Sequence, residues 1–210
     1  MSKDESRSLV KMLEICGGVD ADQMMAAAEK AHMGQTRRSG GPYIEHPMEV
    51  AKIIMRYYPG EPALCTAALL HDSLEDSILL GNLKDEKELE DLIIQSSDDP
   101  ALGRKVFDIV KRLTHNKDVP YGDYVQSLSG DPDALRIKLA DMMHNLSSSP
   151  TPRQAQKYRT AIDSLEQAYG GPPPAVAIEH WNDLKSVILS SIKEGTLRRY
   201  IRVIIERILA

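Results

Sequence analysis

"HDSLED", residues 71–76, places one imidazole and three carboxylates directly after the apolar run "PALCTAALL". If the run continues as a helix, side chains three and four apart lie on neighbouring faces. His71 then stands over Glu75 and Asp72 over Asp76, while adjacent His71 and Asp72 can grip one cation from one side. Glu75 and Asp76, a turn further on, reach a water on that cation instead. The competing reading is a solvated helix end. It sits badly with "AALL", which calls for burial, because three carboxylates beside a core repel one another unless a cation compensates them.

Two other stretches carry matching chemistry. In "LRIKLADMMHNL", Lys138, Asp141 and Asn145 fall at i, i+3 and i+7 and share a helical stripe, beside an apolar stripe of Leu135, Leu139, Met142 and Leu146. Asp141 thus borders a core face, either as the partner of Lys138 or as a further carboxylate for the cation. The loop "GQTRRSGGPYIEHP" offers Arg37 and Arg38, whose guanidinium forks suit phosphate oxygens, and His46, just before Pro47 at a helix start. Two imidazoles and two carboxylates would make a mixed nitrogen and oxygen site. Such a site suits Mn²⁺, Fe²⁺, Co²⁺ or Zn²⁺ rather than Ca²⁺ or a thiolate-bound structural zinc.

The elements that must position these residues read as helices almost throughout. "DADQMMAAAEKAHMG" is rich in strong helix formers, with Asp20 or Asp22 as its cap. Gly40, Gly41 and Pro42 break the chain into a loop, "HPMEVAKIIMRYY" restarts a helix with Pro47 in its first turn, and Pro59-Gly60 stops it. "EPALCTAALLHDSLED" is expected as one helix. "DEKELEDLIIQ", "PALGRKVFDIVKRLT", "YGDYVQSL", "DPDALRIKLADMMHNL" and "TPRQAQKYRTAIDSLEQAYG" follow, and "GGPPP" is a stop or linker. Beyond it, "AVAIEHWNDLKSVILSSIKEG" and "TLRRYIRVIIERILA" read as two C-terminal helices. Strand signals are weak, so the expected fold is all-α, a bundle of about eight to ten helices with short connections.

Bulk properties narrow the function classes. A chain of 210 residues fits one domain or a domain with a small appendage. A net charge of −5 argues against a general nucleic-acid surface, and no apolar stretch approaches a membrane span. Cys16 and Cys65 have no metal-type spacing and read as two reduced thiols, which points to the cytoplasm.

The order His46, then His71-Asp72, then Asp141 is the H…HD…D arrangement of HD-type metal phosphohydrolases. More closely, "AHMGQTRRSGGPYIEHP", "AALLHDSLEDS" and "IKLADMMHN" resemble the hydrolase domain of RelA/SpoT proteins and the free-standing small alarmone hydrolases. The resemblance runs from about residue 20 to about residue 165. It implies an all-helical HD fold. With "GGPPP" as the boundary, the HD-type hydrolase domain is expected over residues 1–173, with 174–210 as C-terminal helices that pack on the core or form an interaction surface. The resemblance also implies a Mn²⁺-dependent hydrolase with one ion. The reaction implied removes the 3′-diphosphate of guanosine tetra- and pentaphosphate (ppGpp, pppGpp), giving GDP or GTP and pyrophosphate by way of a metal-activated water.

Carried over position by position, His46, His71, Asp72 and Asp141 match the metal ligands and Glu75 and Asp76 the catalytic pair. Arg37, Arg38, Lys138, Asn145 and Ser148 match residues that line the nucleotide pocket. His32, in "AHMGQ", matches a recurrent position and is read as packing behind the site.

Three departures from the family pattern stand out. Met142 replaces an arginine, "LSSSP" replaces an arginine-containing continuation, and Gly41 replaces a loop acid. They keep an adenosine alarmone, (p)ppApp, or another phosphorylated nucleotide as alternative substrates. The expected partner is therefore a small nucleotide, with neither nucleic acid nor membrane. About 37 residues after "GGPPP" are too few for a synthetase domain. Their apolar stripes, Trp181, Leu184, Val187, Ile188 and Ile192, then Leu197, Tyr200, Ile201, Ile204, Ile205 and Ile208, read as closing the core. The alternative is a surface for a homodimer or for an alarmone synthetase that this chain neutralises.

Overall fold

The computed structural model describes residues 3–209 apart from 39, 76 and 149, with side chains over 7–193. Ten α-helices account for most of it: α1 (Lys3–Cys16), α2 (Ala21–Ala31), α3 (Glu45–Tyr57), α4 (Pro62–Leu70) and α5 (Glu86–Gln95), then α6 (Pro100–Leu113), α7 (Tyr121–Ser127), α8 (Pro132–Ser147), α9 (Pro152–Tyr169) and α10 (Ile178–Leu209). Among the described residues there is no β-strand, only two isolated bridges, Val19 to Ser97 and Thr36 to Pro42.

Local chemistry sets the helix ends. Asp20, Asp85, Asp99, Asp131 and Thr151 each accept a backbone N–H of the helix they precede; such a cap contributes about 1 kcal/mol. Prolines open α4, α6, α8 and α9, where their missing N–H costs nothing. Gly170, at φ +68°, closes α9 in the left-handed conformation that glycine adopts most readily.

The centre of the bundle is α4. Every residue from Ala63 to Leu70 is buried, and α3, α6, α2, α1 and α8 pack around it. A helix apolar on all sides belongs inside, so its C-terminal end, where His71 follows, opens within the protein.

Three sequence expectations are corrected. "HDSLED" does not continue α4. The helix ends at Leu70, and residues 71–75 form successive turns in which Ser73 N–H donates to Leu70 and Glu75 N–H to Asp72. The His71 ring donates from Nδ1 to the Ala68 carbonyl at 2.9 Å, and so satisfies a group that the helix end exposes. The segment from Ile178 onward is one helix rather than two. Gly195 does not interrupt its helical backbone, because a single glycine costs a helix only about 1 kcal/mol. Lastly, α1 was not expected. Its N-terminal half is polar, but Leu9 and Leu13 are fully buried on the core.

The first part of α10 packs on α8 and α9 and buries Trp181, Leu184 and Ile188, with Val187 and Ile192 partly covered. The second apolar stripe, from Leu197 to Ile208, lies outside the side chains described. Cys16, half-buried at the end of α1, and Cys65, buried in α4, are unbonded, with their sulfurs 3.2 Å apart. No helix among the described residues is long and apolar enough to cross a membrane.

Candidate metal centre

Three helices bring the donor groups to one point. His46 lies in the first turn of α3, His71 and Asp72 follow the last residue of α4, and Asp141 sits midway along α8. His46 Nε2 is 3.1 Å from Asp141 Oδ1 and 3.4 Å from Asp72 Oδ2. His71 Nε2 is 3.2 Å from Asp72 Oδ1 and 3.9 Å from Asp141 Oδ1. Donor atoms of His46, His71 and Asp72 all fall within 4.8 Å of one another. Both imidazoles are 1% exposed, so bulk water does not compensate these charges.

The groups present fit a divalent cation on two grounds. The Ala68 carbonyl can only accept, so His71 carries its proton on Nδ1, and its buried Nε2 has no hydrogen-bond partner. In the neutral ring that lone pair faces a carboxylate oxygen at 3.2 Å with no proton between them, an arrangement that a cation relieves. The second ground is charge. Burial works to raise the Asp72 carboxyl, but His71 and His46 outweigh it and hold the group well below the ordinary carboxylate range. Burial likewise opposes ionisation of Asp141, and Lys138 and then His46 reverse it. Burial would depress His46, yet its contacts with Asp141 and Asp72 keep it above the usual histidine value. Two ionised acids thus draw positive charge into the core, a demand that a bound cation meets.

Neighbouring side chains hold the acids in place. Tyr43 donates to Asp72 Oδ2 at 2.7 Å. Lys138 donates to Asp141 Oδ2 at 2.8 Å, and Asn145 donates to Oδ1 from one turn along α8. His144 meets His46 with Nδ1 to Nδ1 at 2.6 Å. Burial, then the charge of His46, pushes His144 down to about 4, so it is neutral at physiological pH. His32 is buried, bonds Gln35 through Nδ1 at 2.7 Å and lies against the Tyr43 ring, behind the centre rather than in it.

Glu75, one turn beyond His71, is exposed. Desolvation by its surroundings, then repulsion from Asp72, raises its carboxyl above the usual glutamate value. Asp76, expected as its companion, lies outside the described residues.

A cavity of about 680 Å³ adjoins the centre, within the range of small-molecule sites. Tyr43 and Asn145 line it, and both also bond the acids of the centre, so cavity and centre share these two side chains. Arg37, Arg38, Arg153 and Lys157 contribute to its wall, and none of the described residues that line it is a carboxylate. It is built for an anion. The loop before α3 presents Arg37 through a tight turn. Arg37 N–H donates to Gly41 at 3.0 Å and Gly40 N–H to Arg37 at 2.9 Å, with both glycines near φ +85° (87° and 83°). The Arg37 guanidinium then donates to Asn145 Oδ1 and Ser148 Oγ, each at 3.2 Å.

Sequence reasoning missed four contributors: Tyr43, His144, Arg153 and Lys157. The last two stand at i and i+4 on α9, a spacing visible in "TPRQAQK", but nothing in the sequence says that this face meets the loop at 37–38. Two departures gain a structural account. Met142 is fully buried, so a side chain there faces the core and not the cavity. A Cβ on Gly41 would stand 3.2 Å from a Glu45 carboxylate oxygen, so an acid already occupies that place.

Comparison with known proteins agrees with this geometry. The HD domain family model matches residues 24–166. A GTP pyrophosphokinase of Streptomyces coelicolor is 33% identical over 148 residues, covering 66% of this chain and 16% of that protein. A guanosine-3′,5′-bis(diphosphate) 3′-pyrophosphohydrolase of Haemophilus influenzae is 33% identical over 141 residues, with 66% and 20% covered. A GTP pyrophosphokinase rsh of Brucella melitensis is 30% identical over 146 residues, with 66% and 18% covered. The chain therefore spans a fifth or less of the length of these relatives. The ordered motifs, the helical bundle and these matches place the chain in the HD domain family, as an HD domain of the RelA/SpoT type.

Proposed function

We propose that this domain hydrolyses guanosine tetra- and pentaphosphate at the 3′-diphosphate, giving GDP or GTP and pyrophosphate, with one Mn²⁺ held by His46, His71, Asp72 and Asp141. One observation carries the reading: a buried cluster of two imidazoles and two acids adjoins a cavity walled, among the described residues, by four cations and no carboxylate. The name of the Haemophilus influenzae relative gives this reaction, and the names of the other two give the synthetic one. The bound ion would lower the pKa of a water and draw off charge that develops on phosphate oxygens.

The protein's own residues do the rest. Arg37, with Arg38, Arg153 and Lys157, binds the diphosphates. Asn145 and Ser148 fix the Arg37 fork, and Asn145 ties it to the acid of the centre. Lys138 neutralises Asp141 rather than the substrate. Glu75, with Asp76, takes the proton of the attacking water, a role that its raised pKa favours near neutral pH. The new bond joins water oxygen to the phosphorus attached at the 3′ oxygen. The bond from that phosphorus to the 3′ oxygen breaks, leaving a 3′ hydroxyl and pyrophosphate. The reading assigns residues 1–173 to the hydrolase domain and 174–210 to a segment that packs on it through Trp181, Leu184 and Ile188.

The test is hydrolysis of ppGpp, pppGpp and ppApp side by side with added Mn²⁺. Pyrophosphate released from the guanosine substrates, and lost on chelation, supports the reading. Turnover of ppApp alone moves the specificity to adenosine, and turnover of none of the three overturns the proposal.

A further inference from the structure

We infer that His144 is a positioning residue for the cation centre: it accepts the Nδ1 proton of His46 and so fixes the tautomer that leaves His46 Nε2 free to ligate. The inference rests on the reading of His46 as a ligand and adds a residue that the motif pattern leaves without a role.

The geometry is specific. The two Nδ1 atoms are 2.6 Å apart, whereas the ring centroids are 4.8 Å apart with planes 25° from parallel. The nitrogens lie far closer than the centroids, so the rings meet edge to edge and each nitrogen points at the other. One proton fits between them. His46 Nε2 faces Asp141 and Asp72, so to ligate it must present a lone pair there. A neutral imidazole then carries its proton on Nδ1, and that proton needs an acceptor. His144 Nδ1 is the acceptor in place, which puts the proton of His144 on its own Nε2.

His71 shows the same requirement met in another way. Its Nδ1 donates to the Ala68 carbonyl, a group that can only accept. A carbonyl fixes the tautomer unconditionally; an imidazole does so only while it is an acceptor. His46 is therefore the ligand whose orientation depends on a side chain, and that side chain stands three residues beyond Asp141 on α8. One helix supplies both a carboxylate and the acceptor that aims the imidazole opposite.

The experiment uses the full chain labelled with ¹⁵N in histidine. Side-chain ¹⁵N–¹H correlation reads the His46 tautomer, metal-free and Zn²⁺-loaded, and Co²⁺ titration by absorbance reads affinity. Wild type should show the proton on Nδ1 of His46. His144→Leu should bind Co²⁺ about 10–100-fold more weakly, and His144→Asn, whose Oδ1 can accept from the same position, should recover most of that loss. Leu and Asn variants that bind as wild type does, or a His46 that carries its only proton on Nε2, would overturn the inference. Should wild type bind neither ion, the metal reading fails, and the inference falls with it as a statement about ligation. The metal-free tautomer then still decides whether His144 accepts.

Discussion

Mild acid should destabilise the junction of α10 with α3 through one residue, His180. It is fully buried, lies parallel to the Tyr57 ring at 4.6 Å, and takes the Tyr58 hydroxyl on Nδ1 at 3.0 Å, while its Nε2 has no partner. Burial pushes it down to about 4; Asp183 on the same helix opposes this and Arg136 from α8 adds to it. The unfolded chain titrates near the ordinary 6.5. Between those values the unfolded state binds a proton that the folded state refuses, so stability is complete above about 6.5 and falls as pH drops through 6.5 towards 4. At pH 5 the loss from this group is about 2 kcal/mol relative to pH 7.5.

His180→Asn keeps an acceptor for Tyr58 and removes the titration. Urea unfolding with chelator present, followed by circular dichroism and by the fluorescence of Trp181, the sole tryptophan, gives the stability of both proteins at both pH values. Wild type should lose about 2 kcal/mol more than the variant between pH 7.5 and pH 5. The other buried histidines titrate in both chains and cancel. Equal losses in the two proteins would refute the claim that His180 is held neutral by burial.

Arg37→Ala removes a charged donor that faces the anion cavity, and kcat/KM for the alarmone should fall about 10–100-fold; steady-state kinetics that show no change would remove Arg37 from substrate binding. Glu75→Gln should lower kcat by about 10²–10⁴. Because the Glu75 carboxyl is raised, the wild-type rate should decline as pH falls through a value above the ordinary glutamate range; a pH–rate profile flat through that region would exclude it as the base. Trp181→Ala should cost about 3–5 kcal/mol in urea unfolding, and a loss below about 1 kcal/mol would mean that α10 lies outside the cooperative core.

The fold was legible because its signals are local. Aspartates and prolines at helix starts, and glycines after the ends, mark boundaries that depend on neighbouring backbone groups alone, as at Asp131-Pro132 and Gly170. The donor set was legible because histidine and carboxylate are costly in an apolar context, so "AALLHD" is conspicuous. The turn at 71–75 was not, since its spacing suits a helix equally well and the deciding contact, from His71 back to Ala68, is a matter of ring orientation. His144, Tyr43, Arg153 and Lys157 escaped for a different reason. Each is ordinary in its own segment and acquires a role only when α8, α9 and the loop before α3 are set side by side. The merging of the last two helices into α10 turned on Gly195, because one glycine costs a helix only about 1 kcal/mol and so does not by itself mark an end.

The most direct measurement is anomalous diffraction at the manganese edge from a crystal grown with Mn²⁺. The account predicts one strong peak within coordination distance of His46 Nε2, His71 Nε2 and the carboxylates of Asp72 and Asp141, absent in Asp72→Ala. A crystal that takes up manganese elsewhere while these four side chains stay as close as 3.1–3.9 Å with no peak among them would contradict it.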